Sequence, residues 1–375
     1  MLIALLFVSA LVLAFANGAN DNFKAVATVY GSGGLAYTPA RRLATIAQIT
    51  GSLASIVWAT ALLRTFGGKG LVPDSVVGDP HYLVAVAAAA GATVLLATRV
   101  GLPISTTHAL VGGLVGAGIA LAPTQLSWSA LGGSFFLPLL VSPFLALAFA
   151  AVLYPVIHRV RRALGIESDT CVCIGESRDP VRVDPGGALV LERTGLELTI
   201  DQAARCREIY SGRALGATVQ SIIDRLHSAS AFSLGFARGL NDTPKILALL
   251  VAAGWSGLDP RMSLAVIAGA MALGGVLRAR RVAETLAHKV TPIGHGQGLL
   301  ANSIASGLVI GASLLGSPVS TTHVTSGAIF GIGFWNDRTD WTMVGGIVGA
   351  WLGTLPLAAA IAAGIAYLVI PAVGL

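Results

Sequence analysis

One pattern occurs twice in this chain. Leu13-Ala14-Phe15-Ala16-Asn17-Gly18-Ala19-Asn20-Asp21-Asn22-Phe23-Lys24 returns as Leu234-Gly235-Phe236-Ala237-Arg238-Gly239-Leu240-Asn241-Asp242-Thr243-Pro244-Lys245. A second motif follows each copy at similar spacing, first as Pro103-Ile104-Ser105-Thr106-Thr107-His108 and then as Pro318-Val319-Ser320-Thr321-Thr322-His323. Two motifs repeated in the same order restrict the chain to an architecture of two related halves. The acid near the end of each first motif implies one polar site drawn from both.

The surroundings of these motifs are apolar. The chain is 54% hydrophobic and only 11% charged, whereas soluble domains carry about a quarter charged residues, so it reads as an integral membrane protein. Its formal net charge of +6 names no substrate, because membrane proteins concentrate Lys and Arg in cytoplasmic loops. Cys171, Cys173 and Cys206 lack the four-ligand spacing of a zinc site and read as reduced thiols. Ala14-Phe15-Ala16 resembles a signal-peptide cleavage site. The basic n-region is missing, however, and the pattern recurs deep in the chain, so residues 1 to 16 are read as an uncleaved first membrane segment.

Apolar stretches long enough to cross a bilayer, about 20 residues each, fall near 2–36, 43–63, 81–99, 104–122 and 130–157, then near 228–253, 262–277, 296–316, 319–335 and 342–370. The first stretch of each series is interrupted at the motif, at Asn17 to Asn22 in the first copy. The expected fold is an all-α membrane protein with half 1 at 1–158, a linker at 159–225 and half 2 at 226–375. Five crossings per half is odd, so the second half enters from the opposite side, as in inverted-repeat transporters with broken helices at the centre. With both termini outside, Arg41, Arg42, Arg159, Arg161, Arg162, Arg278, Arg280, Arg281 and Lys289 fall on the cytoplasmic side together with the linker. In that linker, Ala188–Leu191 and Leu196–Ile200 flank Arg193-Thr194-Gly195 as a small β-hairpin, and Asp201 caps a short helix through Tyr210.

An acid in hydrocarbon costs about 2.5–3.5 kcal/mol even on lenient insertion scales, so Asp21 and Asp242 are read as functional rather than as plain Asx turns. Each Pro-x-Ser-Thr-Thr-His motif reads as a helix start. Such an N-terminus offers free N–H donors and a partial positive charge to an oxyanion such as phosphate or sulfate, beside the simpler reading of ordinary capping. His108 and His323 read equally as titrating groups or as packing. A Ser–His hydrolase lacks a third orienting group, and its duplication has no catalytic rationale, so no enzyme is expected.

These four motifs closely resemble those of the inorganic phosphate transporter (PiT) family, the phosphate permeases. The resemblance implies a dimeric secondary symporter in the plasma (inner) membrane, contacting lipid and no nucleic acid, that imports phosphate with a coupling cation, sodium or proton. Relatives carrying sulfate leave a permease for another oxyanion as the alternative, and a passive anion channel is the other. The resemblance also implies that Asn20, Asp21, Ser105, Thr106, Thr107, Asn241, Asp242, Ser320, Thr321 and Thr322 line the substrate and ion sites, with sodium near Asp21 and Asp242. The chain departs from the family where Lys24 and Lys245 replace a usual Asn, and where Gln48 and Asn302 stand in place of membrane glutamates. Each lysine lies three residues beyond its aspartate, close enough on a helix to pair, and its ammonium can occupy the place of a metal cation. Snorkelling to an interface is the other reading. On the pairing reading, coupling runs through protons on Asp21, Asp242 or the lysines rather than through sodium.

Overall fold

The computed structural model describes residues 1–68, 70–183, 189–202, 215–254, 257 and 259–369. Contacts divide the chain into two compact units, Met1–Val152 with Ser228–Leu375, and Leu153–His227. The two halves expected from the duplication thus interlock in one unit. Its principal helices are α1 (Leu2–Asp21), α2 (Tyr37–Trp58), α3 (Thr60–Phe66), α4 (Pro80–Val100), α5 (Thr106–Leu121) and α6 (Leu137–Ala163), followed by α7 (Val219–Ala252), α8 (Pro260–Arg278), α9 (Arg280–His288), α10 (His295–Leu314), α11 (Thr321–Gly333) and α12 (Trp341–Gly364). Among the described residues, six helices are long and apolar enough to cross a membrane, or seven if α2 and α3, bent by 86°, form one span.

Two of the expected crossings are shorter than a bilayer. α5 has 16 residues and α11 has 13, about 24 and 20 Å at 1.5 Å per residue, against a hydrocarbon core of about 30 Å. Both begin after a short non-helical run that contains a proline: Ser105 (φ −97°, ψ 115°) and Ser320 (φ −95°, ψ 110°) are extended caps, and helix starts only after them. The count of five full crossings per half therefore included one helix per half too short to span the core alone, each entered through a short extended run.

The expected interruptions also fall differently. In the first copy, α-helix continues through Asn17 to Asp21 and then tightens to a 3-10 turn over Asn22–Val26. In the second copy α7 runs unbroken, with Pro244 inside it, so the matching break is absent. The motif glycines serve approach between helices rather than breakage. A Cβ on Gly18 would overlap the Met271 backbone of α8, and one on Gly239 would overlap the Gln48 backbone of α2. The arrangement is reciprocal, since Gly274 of α8 abuts Phe15 of α1 and Gly51 of α2 abuts Phe236 of α7. Small residues let backbones close in this way where lipid supplies no hydrophobic drive between helices.

The second unit carries a three-stranded antiparallel sheet in the order β2-β1-β3, from β1 (Thr170–Val183), β2 (Leu189–Gln202) and β3 (Leu215–Thr218). Arg193-Thr194-Gly195 is not the hairpin turn. It lies inside β2, where Glu176 pairs with Leu196 and Arg178 with Arg193, so the strand carries a bulge there. An extra residue breaks the two-residue alternation and so mimicked a turn in the sequence. Asp201 pairs with Cys171, and the helix expected from it through Tyr210 lies outside the described residues, as does Cys206. The expectation of reduced thiols fails at Cys173, which is disulfide-bonded, while Cys171 is free and buried. Spacing excluded a zinc site but carried no information on pairing.

Candidate functional site

The two copies of each motif meet at one buried centre. Lys24, 1% exposed, sits one helical turn beyond Asp21 and directs Nζ at three oxygens: the Asp21 carboxylate, the Ile104 carbonyl at 2.7 Å and the Thr322 hydroxyl at 2.7 Å. Lys245 does the same in the other half, with Asp242 Oδ1 at 3.3 Å, the Val319 carbonyl at 2.9 Å and the Thr107 hydroxyl at 2.7 Å. Each ammonium thus takes its own aspartate, the carbonyl just before its own half's serine cap, and the last threonine of the opposite half's motif. Both lysines are buried, which contradicts the snorkelling reading.

The remaining polar groups knit this centre together. Asp21 Oδ2 accepts from Asn17 at 2.9 Å and from Thr106 at 2.9 Å, and the Thr322 hydroxyl lies 3.1 Å from Oδ1. Asn17 also reaches Asp242 Oδ2 at 3.4 Å, so one amide bridges both carboxylates. Arg238 stands four residues before Asp242, as Asn17 stands before Asp21. Its guanidinium donates to the hydroxyls of Thr321 at 3.3 Å and Thr325 at 3.1 Å, and it lies 3.8 Å from Asp21 Oδ1. Asn17, Asp21, Asn22, Gln48, Arg238, Asp242 and Met271 line a cavity of about 10 Å³, room for a single water.

The predicted site residues divide by task. Ser105 and Ser320 cap their helices, each accepting at 3.1 Å from the backbone N–H of His108 or His323, so for the serines the capping reading holds. The threonines turn instead to the aspartates, Arg238 and the lysines. Asn20 and Asn241 tie down the extended runs ahead of α5 and α11. Asn20 donates to Leu102 O at 3.1 Å and accepts from Ile104 N at 3.2 Å, while Asn241 donates to Val319 O at 3.3 Å. The two histidine rings pack 4.2 Å apart, and His323 stacks 4.0 Å from Trp351, which favours the packing reading.

Gln48 and Asn302 are not counterparts. Gln48 lines the central cavity and donates to Ser52 at 2.8 Å, whereas Asn302 lies away from it, accepting from Thr28 at 3.2 Å. Arg238 and Asn17 stood inside the duplicated motif without an assigned role. The signal that could have found them is their matched position, four residues before each acid.

Oδ1 of each aspartate already faces an ammonium, so a sodium ion bound at that oxygen would have to take the lysine's place. The comparisons bear on what the centre serves. A chain named "The sodium-dependent phosphate transporter" superposes with a TM-score of 0.75 at 20% identity, over 98% of each chain. A protein of Pyrococcus abyssi bearing a phosphate-permease name is 27% identical over 94% of each chain. A Mycobacterium tuberculosis protein bearing a low-affinity inorganic phosphate transporter name is 28% identical over 96% of this chain and 76% of its own. The family description "Phosphate transporter family" matches residues 17–362, a span containing the first motif from Asn17 onward, the other three motifs in full and the whole buried centre. The chain is a multi-pass membrane protein and belongs to the phosphate transporter family.

Proposed function

We propose that this protein imports inorganic phosphate across the plasma (inner) membrane by symport, with the proton as coupling cation. It is not an enzyme. Two inverted repeats alternate around the buried centre, two copies associate in the lipid, the termini lie outside, and the linker with its neighbouring arginines is cytoplasmic. Family membership supports phosphate as the substrate. The observation that carries the reading is the meeting of both motif pairs at one buried, charged centre at membrane depth, where an uncompensated acid would be costly. The structural neighbour's name specifies sodium. Here, the two ammonium groups on Asp21 and Asp242 favour the proton.

The test is radiolabelled phosphate uptake into proteoliposomes, with sodium and proton gradients imposed separately and sulfate as competitor. Uphill uptake driven by the proton gradient and unchanged when choline replaces sodium is the expected result. Strict sodium dependence would sink the proton assignment. Full competition by sulfate would make the protein a general oxyanion permease, and uptake that stops at equilibration would make it a channel.

A further inference from the structure

We infer that Arg238, together with the amide oxygens of Asn17, Asn22 and Gln48, selects the charge and protonation state of the substrate: a singly charged tetrahedral oxyanion that still carries hydroxyl groups. This rests on the oxyanion-transport reading above and names the residues that decide which oxyanion is taken.

Donor capacity separates the three buried cations. An ammonium has three N–H donors, and both lysines direct theirs at three oxygens each. A guanidinium has five donors in a planar fork. Arg238, 2% exposed, spends its terminal nitrogens on two neutral threonine hydroxyls, and its Nε has no partner. It is therefore the cation with donors to give.

Charge points the same way. The titratable groups around the cavity are Asp21, Asp242, Lys24, Lys245 and Arg238, so two carboxylates face three cations and one positive charge is left. The helices that meet here carry other titratable groups, Tyr37, Arg41 and Arg42 on α2, Asp224, Arg225 and His227 on α7, and Arg261 and Arg278 on α8, none of which lines the cavity; on α5 and α11, His108 and His323 pack on each other, and His323 stacks on Trp351. A monoanion neutralises the centre, whereas a dianion leaves it negative.

A third observation concerns protons. Asn17 Oδ1, Asn22 Oδ1 and Gln48 Oε1 are buried without partners, and all three residues line the cavity with Arg238. Their amide nitrogens are engaged, Asn17 with both aspartates, Asn22 with Thr45 at 2.9 Å and Gln48 with Ser52, which leaves the oxygens as the unengaged ends of three cavity-lining side chains. Bare acceptors repel an oxyanion with no hydrogens, such as sulfate. They accept from the hydroxyls of dihydrogen phosphate, while the guanidinium takes its ionised oxygens. The cavity must widen beyond its present single-water size, and the flexible Met271 side chain in its wall is suited to yield. A proton carried in on the substrate then supplies the coupling that the lysine-filled aspartates do not take from sodium.

The test is equilibrium binding of radiolabelled inorganic phosphate to the full-length protein in nanodiscs, across the second ionisation of phosphate, with sulfate as competitor. Wild-type affinity for total phosphate should fall about tenfold per pH unit on the alkaline side, and sulfate should compete poorly. R238Q should bind roughly 100-fold more weakly and lose the pH slope. R238K, which keeps the charge without the fork, should keep the slope with binding about tenfold weaker. Q48L, which removes one acceptor, should weaken phosphate and narrow the gap to sulfate, and it carries the test if R238Q elutes as unfolded protein. Phosphate binding by R238Q as tight as wild type, or sulfate competing at equal concentration in wild type, overturns this assignment and leaves phosphate transport standing. A wild-type protein that binds neither anion overturns both.

Discussion

Replacing Lys24 by alanine removes a cation and leaves its seat. The Asp21 carboxylate, the Ile104 carbonyl and the Thr322 hydroxyl would still converge on the vacated position. Removing one partner of a buried ion pair costs about 3–5 kcal/mol, because the other charge stays buried and uncompensated. Asp21 would keep donors in Asn17, Thr106 and Thr322, so the lower end, about 3 kcal/mol, is expected. Three oxygens facing a seat that has lost its ammonium form a site that sodium can enter, although the Arg238 guanidinium stays 3.8 Å from Asp21 Oδ1. Sodium at 100 times its dissociation constant would restore about 2.7 kcal/mol, nearly the whole loss. The assay is thermal unfolding of purified protein in sodium chloride against choline chloride at equal ionic strength. Wild type should melt alike in both salts, while K24A should melt lower in choline and recover in sodium. Sodium stabilising wild type as much as K24A, or K24A matching wild type in choline, would refute the idea that the ammonium holds the cation's place.

K245A should cost more than K24A in the same choline melts. Fewer donors remain on Asp242, namely Asn241 at 2.9 Å and Asn17 at 3.4 Å, and the ammonium's contact with the Phe66 ring at 5.4 Å is lost as well, worth about 0.5–2 kcal/mol. G18A would drive a Cβ into the Met271 backbone and should cost at least about 3 kcal/mol, seen as loss of monodisperse protein on size exclusion. G269A meets nothing within 4 Å, so it should be neutral or gain up to about 1 kcal/mol in helix propensity.

Much of the centre was legible because duplication makes chemistry visible twice. Two acids, two lysines and two hydroxyl-rich helix starts in matching positions have no explanation as coincidence, and the structure brings all of them together. What was not legible depends on tertiary partners. Gly18 and Gly239 look like helix breakers from local propensity, yet what decides their presence is the backbone of a helix far away in sequence. Thr107 and Thr322 look like additional caps, and only the crossing of the halves turns each toward the other half's lysine. In the second unit, Thr194-Gly195 resembled a turn because a bulge and a turn interrupt alternation in the same way. The partner strand distinguishes them, since Glu176 and Arg178 pair on either side of Thr194-Gly195, and it carries one bulge of its own between Pro180 and Arg182. Arg238 carried no repeat signal because the residue at that matched position differs between the copies, Asn17 in the first and Arg238 in the second.

That difference bears on whether the centre works as a carrier or a leak. Lys24 is held partly by Thr322 on α11, and Lys245 partly by Thr107 on α5. Separating α5 from α11 would strip both ammoniums of an acceptor at once, and a hydrogen bond to a charged group is worth about 1.5–3 kcal/mol. Two of them make an opening cost of about 3–6 kcal/mol, enough to keep the empty centre shut nearly all the time. With arginine in both copies the resting centre would hold two uncompensated positive charges, and with asparagine in both it would hold none to attract an anion. One of each leaves a single positive charge, which the substrate alone can cancel. Binding free energy from that neutralisation is available only when the anion is present, so a bound anion offsets part of the opening cost that the empty centre meets in full.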